Sequence, residues 1–289
     1  MIRTARVPAL LAAALAAGCA GSPAKRAAEE RIRLVDGKAG RLRVSDGGSG
    51  EPAVVFLHGL GGDLEVWREQ LDRLRPRLRA VAYDQRGHGG SERARDGVYT
   101  IEALAGDLAS VVDALALQRF HLVGHSLSGA VLTAYAGAHP ERVAGLVYAD
   151  GVGDLHAVPA AAIEEAVRKE SSPSFGQAEL RDAFEGMLGP AARPATRERV
   201  LASLARLDPP AFAALRRSLF GFAVGARLSA YRGPILAIEA EGPPNPVRAS
   251  AVIPAARRRG IIGVSHWLHM DDPATFGSML DPFLGLPER

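Results

Sequence analysis

The hexapeptide Gly124-His125-Ser126-Leu127-Ser128-Gly129 constrains this chain more than any other feature. An apolar run, residues 120–123, leads into it, and an apolar helical run, 130–138, follows it. A serine at such a strand-to-helix corner sits in a strained backbone conformation, so the residues two before and two after it must be small. Gly124 meets that demand fully. Ser128 adds one hydroxyl where glycine is usual, and Gly129 leaves room one step later. The corner marks Ser126 as a candidate nucleophile at the carboxyl end of a strand.

The rest of the chain supplies a frame for such a corner. Apolar runs at 32–36, 41–45, 53–57, 78–84, 120–124, 143–149, 235–240 and 260–264 read as strands. Helical periodicity falls at 65–75, 101–116, 127–139, 247–258 and 273–284. Strands alternating with helices predict an α/β fold: a mostly parallel eight-stranded sheet with helices on both faces. The short turn at Gly37-Lys38 makes the first two strands an antiparallel hairpin at one edge. Between 151 and 231 the alternation stops. Leu180, Ala183, Phe184, Met187 and Leu188 repeat at three and four, as do Phe212, Leu215, Leu219 and Phe222. About four helices are therefore expected there, inserted as a cap into a core formed by 32–150 and 232–289. With 289 residues, 47% of them hydrophobic, the chain is long enough for one large core with such an insertion.

Three further loops follow strand ends. His58-Gly59-Leu60-Gly61-Gly62 is a glycine-rich turn whose backbone N–H groups can point into a site. Asp84-Gln85-Arg86-Gly87-His88-Gly89-Gly90-Ser91 is a second, and Ser265-His266-Trp267-Leu268-His269-Met270-Asp271-Asp272-Pro273 a third. Taken with the serine corner, these motifs resemble, in order, an α/β-hydrolase with a helical cap, similar to the branch of esterases, C–C hydrolases and haloalkane dehalogenases. The resemblance spans about 32–284, interrupted by the variable cap. It implies that Ser126 is the nucleophile and His266 the general base, and that the backbone N–H groups of Leu60 and Leu127 form the oxyanion hole. Serine rather than aspartate at 126 disfavours dehalogenase and epoxide hydrolase activity. The family most often places its acid just after the seventh strand, where this chain has no aspartate. Two candidates stand: Asp150, after the sixth strand as in some members, and Glu241, earlier than the usual position. Asp150 is preferred.

The remaining residues have quieter readings. His58 supports the oxyanion loop, His125 packs beside the nucleophile, and His88 and His121 are structural or exposed. His139 suits a helix C-terminus, His156 is unassigned, and His269 is a rival base to His266. Asp84, Arg86 and Ser91 organise a turn, while Asp271 and Asp272 cap the last helix. Phe184, Met187, Phe212, Phe220 and Phe222 are candidate pocket residues, with helix-core packing the preferred role for any single one of them. No cluster has metal-ligand spacing and no glycine loop reads as phosphate-binding, so neither cofactor nor metal is expected. A net charge of +3, scattered along the chain, gives no nucleic-acid footprint.

The N-terminus carries its own signal. Met1 to Arg6 holds two arginines and no acid, residues 7–17 are uncharged and mostly apolar, and Leu15-Ala16-Ala17-Gly18-Cys19 follows. The apolar run is too short to span a bilayer. It resembles a bacterial lipoprotein signal, residues 1–18, with Cys19 lipidated and 19–31 a tether. Cys19 is the single cysteine, and Ala20 after it favours the outer membrane, periplasmic side. The expected function is a lipid-anchored serine hydrolase acting on a small, apolar ester-like molecule, a lactone or a thioester. C–C bond hydrolysis of ketones with the same residues and a non-catalytic binding role are the alternatives.

Overall fold

The computed structural model describes residues 30–287. The leader at 1–18, Cys19 and most of the tether lie outside the described residues; Arg31, at the tether's end, already belongs to the first strand. Eight strands form one sheet in the order β1-β2-β4-β3-β5-β6-β7-β8. β1 (Arg31–Asp36) and β2 (Arg41–Gly47) are an antiparallel hairpin, and β2 also runs antiparallel to β4 (Ala80–Tyr83). β3 (Ala53–Leu57), β5 (Phe120–His125), β6 (Val143–Ala149), β7 (Ile235–Ala240) and β8 (Arg257–Ile261) continue the sheet in parallel. Every residue of β3, β5, β6 and β7 is buried. That is why they read as largely apolar runs, interrupted only by His121, His125 and Glu239: a parallel strand covered on both faces has no polar side.

Strand alternation divides the core. Val55 and Leu57 pack on one face with residues of α2 (Ile101–Ala114) and α3 (Ser128–Ala138). Val54 and Phe56 pack on the other with Trp67, with Leu71 of α1 (Arg68–Leu74), and with Phe276 and Leu280 of α8 (Pro273–Phe283).

At the last strand the structure corrects the sequence reading. The strand is Arg257–Ile261 rather than 260–264, and the helix expected over 247–258 shrinks to one turn, Ala249–Val252. Pro254 disfavours helical backbone at Ile253, which stops the helix. Arg257, Arg258 and Arg259 are exposed in an edge strand, where backbone pairing with β7 fixes the conformation and charge guards the free edge.

Between β6 and β7 come α4 (Ala160–Glu170), α5 (Gln177–Leu188), α6 (Pro194–Leu204) and α7 (Pro209–Phe220). Leu180, Phe184, Val200, Leu204 and Phe212 of these helices form a core of their own that closes on Trp267 of the sheet domain. Buried Asp63, after β3, ties α6 and the turn after it to the sheet domain: its Oδ2 accepts from Arg199 at 2.5 Å and also from Arg206. The insertion therefore sits over the carboxyl ends of the parallel strands, the edge where ligands bind in open α/β sheets.

Candidate active site

Ser126 follows β5 with φ 53°, a left-handed conformation rare outside glycine. Its N–H donates to Ala149 O at 3.2 Å, and its carbonyl accepts from Gly129 at 2.9 Å and Val152 at 3.1 Å, so three neighbours fix the strained corner. A Cβ on Gly124 would lie 2.4 Å from Leu132 Cδ2 and 2.8 Å from Ser128 O, which explains the small residue there. The extra hydroxyl of Ser128 is buried and donates to His58 O at 2.5 Å, tying the corner to the loop after β3.

Asp150 lies just past the neighbouring strand β6, also at positive φ, 44°. Its backbone N–H donates to Ile238 O at 2.8 Å, and its Oδ1 accepts from Ala240 N at 3.3 Å, so β7 orients it twice. Its Oδ2 meets His266 Nδ1 at 2.7 Å. Burial pushes the Asp150 carboxyl up. The hydrogen bond and charge interaction with His266, the Arg248 guanidinium 3.6 Å away and the Ala240 N–H outweigh it and hold the carboxyl below the usual range. Glu241 lies elsewhere, with its side chain at the surface on Arg258 at 3.0 Å. Arg248 escaped the sequence reading because its proximity to Asp150 comes from a bridge between Val152 and Arg248, remote in sequence.

The loop carrying His266 is braced on both sides. Ser265 donates its N–H (2.8 Å) and hydroxyl (2.5 Å) to Asp271 Oδ2, and Arg193 N–H donates to Asp271 Oδ1 at 2.9 Å. Asp271 thus locks this loop to the helical insertion instead of capping the last helix; Asp272 is the cap, accepting from Thr275 N at 3.0 Å. His125 Nε2 donates to His266 O at 2.9 Å. His269 is stacked on Trp67 with ring centroids 4.0 Å apart, and burial pushes its pKa down to about 3.

The loop after β3 completes the floor. A Cβ on Gly59 would come within 3.0 Å of Ser126 Cβ and 2.7 Å of His125 Nδ1, so glycine is what lets this loop reach the corner. His58 Nε2 accepts from Gln85 N at 3.0 Å, and His88 Nε2 accepts from Gly61 N at 3.2 Å, which pins the loop in place. Asp84 accepts from Leu64 N and Gly90 N, both at 2.7 Å, and organises the adjoining turn. Among the described residues the N–H groups of Leu60 and Leu127 donate to no protein group.

Leu60, Ser126, Leu127 and His266 line one cavity of about 450 Å³ beneath the insertion. Phe175, Phe184, Met187, Phe212, Leu219 and Trp267 make its walls apolar. Phe220 and Phe222 do not line it. Phe222 is buried in the sheet-domain core, and Phe220 packs against that core beneath Arg216. Polar side chains that periodicity gave no reason to single out, Lys169, Glu170, Glu179 and Arg216, also reach the cavity. Among the described residues no cluster of His, Cys, Asp or Glu is arranged to hold a metal ion, and no helix is long and apolar enough to cross a membrane.

The model of the alpha/beta hydrolase fold matches residues 52–192. The chain is 30% identical over 282 residues, 91% of its length, to the dihydrolipoyllysine-residue acetyltransferase component of the acetoin cleaving system of Cupriavidus necator, and covers 73% of that protein. It is 39% identical over 103 residues, 36% of its length, to a Caulobacter protein provisionally named carbamate hydrolase, and spans 38% of that relative. Among solved structures, a thermophilic esterase from Thermogutta terrifontis superposes with a TM-score of 0.76 at 22% identity over 88% of this chain and 98% of the other. The enol-lactonase from Burkholderia xenovorans gives 0.74 at 22% identity, over 88% and 100%. The chain belongs to the alpha/beta hydrolase fold family.

Proposed function

We propose that this protein is a serine hydrolase that cleaves a small or medium carboxylic ester, lactone or thioester through an acyl-enzyme on Ser126. The observation that carries the reading is the 2.7 Å contact of His266 Nδ1 with buried Asp150, beside a strained Ser126 on the same cavity. With Nδ1–H donated to the carboxylate, Nε2 is the free base. It takes the Ser126 proton as Oγ attacks the carbonyl carbon. The N–H groups of Leu60 and Leu127 receive the negative charge of the tetrahedral oxygen, each worth about 3 kcal/mol in such sites. Collapse expels the alcohol or thiol, which takes the proton from His266. Water then loses a proton to the same nitrogen, attacks the acyl group and frees the acid, restoring Ser126. Relatives named as an esterase, a lactonase and a carbamate hydrolase support hydrolysis at a carbonyl.

A panel of para-nitrophenyl esters, lactones and β-diketones on the purified chain tests the reading, with fluorophosphonate labelling beside it. Esters should be cleaved and the probe should label Ser126; Ser126→Ala should lose both. Full esterase activity in Ser126→Ala would sink it, and turnover of diketones alone would move the chemistry to C–C bonds.

The lipid anchor forms part of the proposal. Lipidated Cys19 would hold the enzyme on the periplasmic side of an outer membrane, with the residues before β1 as a tether. Labelled palmitate should be incorporated, and Cys19→Ser should prevent it; unchanged labelling would discard the anchor.

A further inference from the structure

Ser128 stands where glycine is usual after such a serine, and its hydroxyl reaches across to a second loop. The pairing of β3 with β5 ends at Leu57 and Gly124. Past that point the chain leaves β3 as the loop that carries Leu60, and leaves β5 as the corner that carries Leu127. The two N–H groups of the oxyanion hole therefore sit on separate loops, beyond the sheet ladder. Among the described residues, Ser128 supplies the one side chain of the corner that hydrogen-bonds the loop at 58–62: its Oγ donates to His58 O at 2.5 Å. Gln85 Nε2 closes a triangle, donating to His58 O at 2.7 Å and to Ser128 Oγ at 3.2 Å. Ser128, His58 and Gln85 are all buried, so both bonds are shielded from water. Ser128 directly follows Leu127 and opens α3, and His58 lies two residues before Leu60. The triangle thus joins the chain segments that carry the two donors.

We infer that Ser128 is a positioning residue, whose hydroxyl clamps the loop after β3 to the serine corner and so fixes the spacing of the Leu60 and Leu127 N–H groups around the oxyanion. The inference rests on the reading of Ser126 as nucleophile and of those two groups as the oxyanion hole. A pair of donors stabilises the tetrahedral oxygen without reorganising only when both are already held where the charge develops. Glycine or alanine at 128 removes the corner's end of both bonds and leaves the junction to backbone packing. The charge on that oxygen appears only on the way to the tetrahedral intermediate, so the clamp acts on kcat and not on KM.

The test compares Ser128→Ala and Ser128→Gly with the wild type in three measurements: hydrolysis of a para-nitrophenyl ester, affinity for a trifluoromethyl ketone with the same acyl arm, and hydrogen–deuterium exchange of the free protein. Both variants should lose about tenfold in kcat with KM within about twofold, less than the about 10²- to 10³-fold cost of removing an oxyanion donor outright. Affinity for the ketone, whose hemiketal oxygen occupies the hole, should fall by the same factor as kcat/KM. The amides of Gly61 and Gly62, bonded to His88 and to Gly59 O, should exchange about tenfold faster in both variants, beyond any change at the amides of β6 and β7. A loss in Ser128→Gly alone would trace the effect to helix propensity at the start of α3 and overturn the clamp. A fall carried by KM, or an unchanged kcat in both variants, overturns it as well. Faster loop exchange in the variants of a wild type that turns over no ester and forms no hemiketal keeps the clamp and removes the esterase reading. Ester turnover with loop exchange unchanged in the variants keeps the esterase reading and removes the clamp.

Discussion

Replacing Asp150 by asparagine should disable the enzyme through a tautomer, and the size of the loss follows from the neighbours of the carboxylate. Asp150 Oδ1 faces two donors, Ala240 N–H at 3.3 Å and Arg248 Nε at 3.6 Å, while Oδ2 faces His266 Nδ1 at 2.7 Å. In Asp150→Asn the amide oxygen stays with the two donors, so the NH₂ group points at His266. It can donate only to an unprotonated Nδ1, which puts the imidazole proton on Nε2, where the base is needed. The opposite amide orientation deprives the Ala240 N–H of its acceptor and turns NH₂ against the arginine, at about 2–4 kcal/mol. Loss of the carboxylate charge opposite the imidazolium adds about 1.5–3 kcal/mol. At about 1.4 kcal/mol per decade, the sum, about 3.5–7 kcal/mol, predicts a fall in kcat of about 300- to 10⁵-fold, a range that contains the effect of such a swap in a serine protease triad. Steady-state hydrolysis of a para-nitrophenyl ester measures it, with unchanged far-UV circular dichroism as the folding control. Glu241→Gln, altering an exposed side chain on Arg258, should cost less than about twofold. Asp150→Asn above about one-tenth of wild-type kcat, or a larger loss in Glu241→Gln, would refute the reasoning.

Arg248→Met in the Asp150→Asn background removes one of the two donors that fix the amide, so it should recover part of the lost kcat, about tenfold; a further loss would show that Arg248 does not set that orientation. Gly124→Ala forces a methyl to 2.4 Å from Leu132 and 2.8 Å from the Ser128 carbonyl, and should lower stability by about 1–3 kcal/mol in urea titration, with activity falling as the corner shifts. Buried neutral histidines make the fold acid-sensitive. Burial pushes His88 and His269 down to about 3 and His121 to about 4, so the unfolded chain binds protons below about pH 6.5 that the native state refuses. Stability is therefore present above pH 6.5 and lost as pH falls, on the order of 5 kcal/mol from these three by pH 5. A urea midpoint unchanged between those pH values would contradict it.

The frame was legible from sequence because its cause is local. Strands buried on both faces read as apolar runs, and the positive φ at Ser126 imposes small neighbours that print Gly124 and Ser128 into the chain. The boundaries of β8 were not legible, since three arginines mask an edge strand whose conformation comes from pairing with β7. Nor was the role of Asp271, which is polar and next to a proline in sequence but spends both oxygens on Ser265 and Arg193.

By itself, then, the sequence determined the α/β alternation, the strained serine corner and the loops after the strands, all products of interactions within a few residues. Between Asp150 and Glu241 it expressed a preference without a contact. The tertiary structure put Asp150 against His266 because β6 and β7 pair in a register that orients its backbone and Oδ1 alike, leaving Oδ2 to face the histidine loop beyond β8. The same long-range packing set Arg248 beside that acid and turned Glu170 and Arg216 into the cavity wall. Such meetings depend on where distant elements pack, and neither helical nor strand periodicity carries that information.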